Sequence, residues 1–505
     1  MNKKIYLLKD LKRILVKDNS KKKVVLCHGV FDVIHFGHLN HFEQAKKFGD
    51  ILVVSVTADR FINKGPGRPV FNLKDRLKVL SGLEAIDYLV VSENLTAVNL
   101  IKKLRPNIYC KGLEYKSFKN DLTGEIKNEI NAAKKIQAKI KYTNLPSFSS
   151  SKIINSYGIS FNDDQNLFLK NIRNNFSYKK VEGIFEKLSR LKILLIGESI
   201  IDEYDFCEGL GKSGKESFLV LREIKSTKSI GGVLSVANYL SEFCHNVHLV
   251  SYLGDRNNNY NFIKKNLSKN VYFDYIKKVN SPTIIKKRVC DYDDRKKLLG
   301  IYTINDDLLN ISEEKKIISK IEKSYKNKDA IIVSDYGHGL ITKNIAERIS
   351  KKNKYFSLNA QINAANLGYS GINKYRRSDC LVINAKELRH ELREREGDIV
   401  NLARILKNKI HCAYLAVTQG RAGVFLLDKN NNIYKCPAFA NDVVDKVGAG
   451  DALHALLSIL IRVGCNYNLA LLISSLAAAN ATAYFGNDQL MKKRNLLKIL
   501  QHILE

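Results

Sequence analysis

Two stretches of this chain bring together residue types whose spacing suits phosphate chemistry. The first is His28-Gly29-Val30-Phe31-Asp32-Val33-Ile34-His35-Phe36-Gly37-His38. It places two histidines around a glycine where a loop turns into a helix. Both imidazoles can face one phosphate, and Gly37 lets a ligand approach the backbone closely. The helix start adds unsatisfied N–H groups and partial positive charge. Such a site stabilises charge developing on a phosphate without a covalent intermediate. Gly29, Phe31 and Asp32 form the loop leading in. Further along stand Lys46 on the same helix, Arg68-Pro69-Val70, Arg76, and Lys111-Gly112 after a strand. Ser149-Ser150-Ser151 precedes another helical stretch, a second hydroxyl-rich helix start for phosphate oxygens. Two histidines at a helix start also serve as a cap and as packing, so the company they keep decides between the readings.

The second stretch is Asp445-Lys446-Val447-Gly448-Ala449-Gly450-Asp451. Gly448, Ala449 and Gly450 can present successive backbone N–H groups as an anion cradle. Asp451 beside them can deprotonate an alcohol that attacks a γ-phosphate. Supporting motifs occur upstream in order. Asp202 follows a strand and can bond substrate hydroxyls, and Gly231-Gly232 opens a helix. Ser334 to Gly339 lies at the carboxyl end of a strand, where α/β sheets bind ligands. Asn384 and Glu387 fit the N-x-x-E pattern that orders Mg²⁺ and its waters. Thr418, Gly420 and Gly423 fit a nucleotide-side loop. The P-loop spacing at Gly209 to Lys215 is a decoy, because Glu216 stands where a Ser or Thr must meet the metal.

These motifs require strands that end beside helix starts. Val24 to Cys27, Ile51 to Val56, Tyr88 to Val91 and Pro106 to Lys111 read as strands. His38 to Phe48 has helical periodicity, with Gly49 expected as its C-cap. This is a βαβ series, and the fold class is α/β, doubly wound. Residues 156–190 read as a helical connector. A second series starts at Leu191 and continues at Val247, Ala330, Cys380 and Tyr414. Phe206 to Ile230 reads instead as a small β flap. The expected division is 1–155, 156–190 and 191–505.

Composition narrows the function classes. Net charge is +32, but basic residues are spread along the chain and interleaved with acids, and no nucleic-acid recognition motif accompanies them. Phosphorylated ligands suit this charge, and no nucleic acid is expected as a partner. The nine cysteines form no C-x-x-C pair, which suits a reducing compartment. There is no secretory pattern at the start, and the apolar region 453–483 is interrupted by His454, Arg462 and Asn468. No membrane association is expected, and the expected location is cytoplasmic.

Residues 22–156 resemble the cytidylyltransferase-like nucleotidyltransferases, in particular the adenylyltransferase half of bacterial bifunctional heptose kinase/adenylyltransferases. The resemblance implies that His35 and His38 bind the nucleoside triphosphate and that Lys46 neutralises the transferred phosphate. It gives Ser149 to Ser151 the β- and γ-phosphates; the family usually has Ser-Thr-Thr there. Residues 191–505 resemble the ribokinase (PfkB) family, nearest the heptose-7-phosphate kinase half of the same enzymes. Two departures touch the sugar side. Gly231-Gly232-Val233-Leu234-Ser235 stands where those kinases read Gly-Gly-Ala-Ala-Asn, and Asn359 to Asn366 replaces an Asp-Pro-Lys neighbourhood. The order of the halves is also reversed. The resemblance implies a Rossmann-like first domain, a ribokinase-like second domain, sugar-phosphate and nucleoside triphosphate substrates, Mg²⁺, ATP, and a homodimer through the flap. The product would be an ADP-heptose-like nucleotide sugar for surface polysaccharide. Two alternatives stay open: CTP in place of ATP at the first site, with another sugar or polyol phosphate, and a degenerate kinase domain with a regulatory role.

Overall fold

The computed structural model describes residues 4–18, 22–62, 68–94, 96–113, 125–143, 161–363, 366, 371–440, 443–486 and 489–504. The chain forms two compact units, Met1–Tyr178 with Arg494–Glu505, and Lys179–Lys493.

In the first unit the strands are β1 (Ile5–Tyr6), β2 (Val24–Gly29), β3 (Ile51–Thr57), β4 (Tyr88–Ser92), β5 (Ile108–Gly112) and β6 (Lys139–Thr143). They pair in parallel in the order β1-β4-β3-β2-β5-β6. Every residue of β3 is buried, as expected of a strand covered on both faces. Alternate residues feed two cores. Val25, Val54 and Leu89 pack with Phe42 and Leu80 on one face, and Leu26, Val53 and Val90 with Leu100, Ile101 and Ala133 on the other. The chain steps from β2 outward to β4 and then returns to the opposite side of β2 with β5. The carboxyl ends of β2 and β5 therefore flank the topological switch point, where such sheets bind ligands.

The helix after β2 spans Phe36–Lys46 because the His35 side chain caps it by accepting the Gly37 N–H. Its C-cap is Lys47 in a right-handed conformation, which corrects the expectation for Gly49. A Cβ at Gly49 would stand 2.7 Å from the Lys23 carbonyl oxygen, so close packing selects that glycine. The stretch before the second series holds the helices Asp163–Asn175 and Tyr178–Leu188. From Arg494 onward, the Lys493–Leu504 helix belongs to the first unit. Arg173 Nε donates to Ile503 O at 2.7 Å, and Arg494 pairs with Glu125 at 2.9 Å.

The second unit contains β7 (Lys192–Gly197), β8 (Ser199–Lys212), β9 (Leu219–Gly232), β10 (Asn246–Arg256), β11 (Val271–Pro282), β12 (Ile284–Asp291) and β13 (Lys297–Thr303). It continues with β14 (Ala330–Asp335), β15 (Tyr355–Ala360), β16 (Ser378–Asn384), β17 (Cys412–Thr418), β18 (Val424–Leu427) and β19 (Ile433–Cys436). The large sheet has the order β11-β10-β7-β14-β15-β16-β17-β18-β19, and only its last two pairings are antiparallel. The flap is a separate sheet ordered β13-β12-β8-β9. It is larger than expected from 206–230, because β12 and β13 join it. Every residue of β13 is exposed, although Leu298, Leu299, Ile301 and Tyr302 make it largely apolar.

Two candidate active sites

In the first unit, the loop after β2 turns through Phe31, whose φ is +51°. The Phe31 ring folds back so that a Cβ at Gly29 would lie 2.9 Å from it; glycine is the residue that fits. The ring meets His38 edge-on at 5.6 Å and packs on Phe42 at 5.1 Å. His35 and His38 have ring centres 4.1 Å apart. His35 Nδ1 accepts the Gly37 N–H at 3.1 Å, so the neutral ring carries its proton on Nε2. Burial lowers the His35 pKa and favours that neutral form. The two imidazoles are thus held side by side at a helix start.

The other residues expected around this site have internal partners. Asp32 is buried, and accepts Phe71 N at 3.1 Å and Arg68 Nη1 at 3.4 Å. It therefore fixes the turn at 68–71. Arg76, expected on phosphate, is only 1% exposed. Its guanidinium donates to the carbonyls of Phe71 (3.0 Å), Val30 (2.5 Å) and Thr57 (2.9 Å), and to Asp59 (2.5 Å). These bonds make it a frame that closes the loop over the sheet. Lys46 also has internal partners. Its Nζ donates to Asp87 Oδ2 at 2.5 Å and to Asp50 O at 2.7 Å. At about 1.5 Å per residue it sits roughly 12 Å along the helix from His38.

Lys111 lies next to the last residue of β5, at the switch point, and pairs with buried Glu129 at 3.0 Å. Burial pushes the Glu129 carboxyl up, but Lys111, His28, the Ala97 N–H and the Tyr109 hydroxyl outweigh it and hold the pKa at about 2. His28 and His41 flank this pair, and burial together with Lys111 lowers both to about 4. The sequence reading missed Glu129. Its signal is an acid on the buried stripe Ile126, Ile130 and Ala133 of its helix. Ser149, Ser150 and Ser151 lie outside the described residues.

In the second unit, Gly448 (φ +84°) is the N-cap of the Ala449–Arg462 helix and Asp451 lies in its first turn. The left-handed turn leaves the cap without a side chain across the N–H groups of Ala449 and Gly450, the geometry of an anion cradle. Asp451 is 7% exposed. Its Oδ1 accepts from Tyr336 Oη at 3.0 Å and Gln361 Nε2 at 2.8 Å. Burial raises its pKa to about 7 and Asp202 adds to that, while Tyr336, Gln361 and Lys286 pull the other way. Gln361 belongs to the segment that departs from the Asp-Pro-Lys neighbourhood, and it now proves to touch the carboxylate.

Asp202 is buried on β8 and accepts from Arg288 Nη1 at 2.6 Å. Gly231 and Gly232 end β9, and Gly232 caps the Val233–Phe243 helix. Asn384 and Thr418 are register partners at the carboxyl ends of β16 and β17. Asn384 and Glu387 form a reciprocal capping box at 2.9 and 3.0 Å, and Glu387 also accepts Ile362 N at 3.1 Å. Both oxygens of that carboxylate accept backbone N–H groups. The turn after Thr418 closes by Gln419 N donating to Gly423 O at 2.8 Å, with Gly420 between.

Glu198, which sequence reasoning missed, is buried just after β7. It accepts the N–H groups of Tyr336 (2.9 Å), His338 (3.2 Å) and Leu340 (3.3 Å), shaping the loop that carries Tyr336 to Asp451. Asp445 does the same for the glycine turn, accepting from Tyr204 Oη at 2.6 Å, Val447 N at 3.1 Å and the Lys297 ammonium.

A parallel sheet with a β flap and a glycine turn opening a helix at a buried carboxylate defines the class of ribokinase-like α/β folds. The phosphofructokinase-2 of Escherichia coli, solved in complex with potassium, matches it with a TM-score of 0.50 at 14% identity, over 63% of this chain and 100% of that one. The pfkB family carbohydrate kinase model matches residues 190–487, more than half of the chain, and the chain belongs to that family. The Cytidylyltransferase-like model matches residues 26–156. Among curated relatives, the bifunctional protein HldE of Campylobacter fetus subsp. fetus is 43% identical over 114 residues, 22% of this chain and 24% of its own length. The bifunctional protein HldE of Campylobacter jejuni subsp. doylei is 26% identical over 299 residues, 59% of this chain and 62% of its own. The chain thus spans less than two thirds of these relatives' length. Among the described residues, no helix is long and apolar enough to cross a membrane.

Proposed function

We propose that the chain is a bifunctional enzyme making an activated nucleotide sugar, with 191–505 acting as an ATP-dependent sugar kinase and 1–155 as a sugar 1-phosphate nucleotidyltransferase. The observation that carries this reading is Asp451, a buried carboxylate with a pKa of about 7 at a glycine-opened helix start. At that pKa it can take the proton of a sugar hydroxyl as the hydroxyl attacks the γ-phosphate. Asp202 would hold neighbouring hydroxyls, with Gly231 and Gly232 lining the sugar side. Gly448, Ala449 and Gly450 would receive the phosphates, and Thr418, Gly420 and Gly423 the nucleotide. Mg²⁺, which offsets phosphate charge when bound, would be ordered through water by Asn384 and Glu387.

In the first unit His35 and His38 would steady the α-phosphate as the sugar 1-phosphate oxygen attacks it and pyrophosphate leaves. Gly29, Phe31, Asp32 and Gly37 shape that loop. The similarity to the bifunctional HldE proteins supports heptose phosphate substrates and ATP. A separate dephosphorylation would lie between the two steps. The nine free cysteines suit a reducing cytoplasm. Exposed Phe218, Leu219, Leu298, Leu299 and Ile301 on the flap support a homodimer formed there.

The test is to incubate purified protein with ATP or CTP and a panel of sugar 1-phosphates, including heptose 1-phosphate, and to measure pyrophosphate. Release with ATP and heptose 1-phosphate is the expected result. Release with CTP alone would move the first site to another activated sugar or polyol. No release from any combination would sink the reading.

A further inference from the structure

We propose that Lys286 is the phosphate-binding side chain of the kinase-type site, a cation that receives a phosphate group beside Asp202 and Asp451. The inference rests on the kinase reading of that site. In the flap, β12 runs parallel to β8 with Lys286 opposite Asp202 and Arg288 opposite Tyr204. Alternation along a strand puts 286 and 288 on one face, the face that carries Asp202.

The two cations there are placed differently. Arg288 is engaged, with Nη1 on Asp202 at 2.6 Å and its guanidinium 5.2 Å from the Tyr204 ring centre. Lys286 is 9% exposed. Its Nζ lies over the Tyr302 ring, 5.6 Å from the centre. Among the described residues its ammonium makes no hydrogen bond and no ion pair, while its carbonyl oxygen accepts from Arg288 Nη1 at 3.3 Å. An ammonium on a largely buried side chain is favoured by an anion beside it; burial lowers the Lys286 pKa, and Asp202, Glu198 and Asp451 offset that only in part.

The nearby carboxylates do not serve as that anion. Asp202 already holds Arg288. Glu198 accepts three backbone N–H groups, and Asp451 accepts from Tyr336 and Gln361. Burial raises both of these carboxyls to about 7, with Asp335 adding to Glu198 and Asp202 to Asp451. The missing anion comes with the reactants. It is either a phosphate already on the sugar or the phosphoryl group in transfer, and both would meet the same amine.

Lys286→Met and Lys286→Arg, assayed with ATP and either heptose 7-phosphate or free heptose, separate the two sources. If the sugar's phosphate is bound, Lys286→Met raises KM for heptose 7-phosphate about tenfold or more and lowers the preference for it over free heptose. If the transferring group is bound, kcat falls about tenfold or more with both sugars while KM holds. In either case Lys286→Arg restores much of the loss. Changes of less than about twofold in Lys286→Met would overturn the proposal. Equal losses in both variants with lowered melting temperatures would do so too, because they mark a structural lysine. If the wild type phosphorylates neither sugar, the kinase reading fails. The Lys286 proposal is then judged by melting in inorganic phosphate: it stands if phosphate stabilises the wild type and not Lys286→Met, and it falls if both respond alike.

Discussion

The two sites treat positive charge in opposite ways. Around His35 and His38, the cations that stand out in the sequence have internal partners: Arg76 three carbonyls and Asp59, Lys111 Glu129, and Lys46 Asp87. Neutral imidazole and helix N–H groups are left to face a phosphate. Around Asp451 the pattern reverses. The conspicuous residues are glycines and carboxylates, while an inconspicuous lysine in the flap holds its charge without an ionic partner among the described residues. A cation near a phosphate motif is therefore evidence about phosphate only once its other partners are known.

Three changes press on this contrast. The largest effect belongs to Asp451→Asn, which should lower sugar phosphorylation by about 10²–10⁴-fold, with pyrophosphate release at the other site as the control for intact protein. The wild-type pH profile sharpens the same point. A base with a pKa of about 7 works in its ionised form, so kcat/KM should rise about tenfold per pH unit below 7 and level off above it. A flat profile from pH 5.5 to 8 would remove Asp451 as the base. Next is Arg76→Met, which strands three carbonyls and should destabilise the first unit by about 3 kcal/mol, read as a lowered denaturant midpoint. If stability holds while KM for nucleotide climbs, Arg76 is a ligand after all. Smallest is Lys46→Ala. With both partners about one-third exposed, its loss should change stability by about 1 kcal/mol or less and pyrophosphate release by less than about threefold. A hundredfold loss would restore the role that resemblance suggested.

Much of this was legible in the residues. The buried runs of β2, β3 and β7 are continuous apolar strings, and the string from Asp445 to Asp451 keeps its glycines and acids adjacent, so local pattern and site coincide. The loop from His28 to His38 is legible for the same reason. What escaped reading depends on distant partners. Arg76 looks like a phosphate ligand until the carbonyls of Val30, Thr57 and Phe71 are seen converging on it. Strand β12 is interrupted by Lys286-Lys287-Arg288, and the largely apolar β13 lies fully exposed, so neither reads as a buried strand. Lys286 is hidden by composition: among 83 lysines and arginines, nothing local marks a buried one whose ammonium has no ion pair among the described residues. Glu198 and Glu129 are acids whose roles come from strand ends and helices far away in sequence.

The first unit is discontinuous, since Arg494–Glu505 completes what Met1–Tyr178 begins. On the ribosome, synthesis advances at about 5–20 residues per second. The earliest-made portion must therefore wait tens of seconds, while the whole intervening unit is translated, before its closing helix exists. During that interval the surface destined for Leu496, Ile499, Leu500 and Ile503 lacks its cover. Nascent chains of this protein should accordingly depend on holding chaperones for longer than their amino-terminal position suggests, and a premature stop near the end of the message would injure the beginning of the protein.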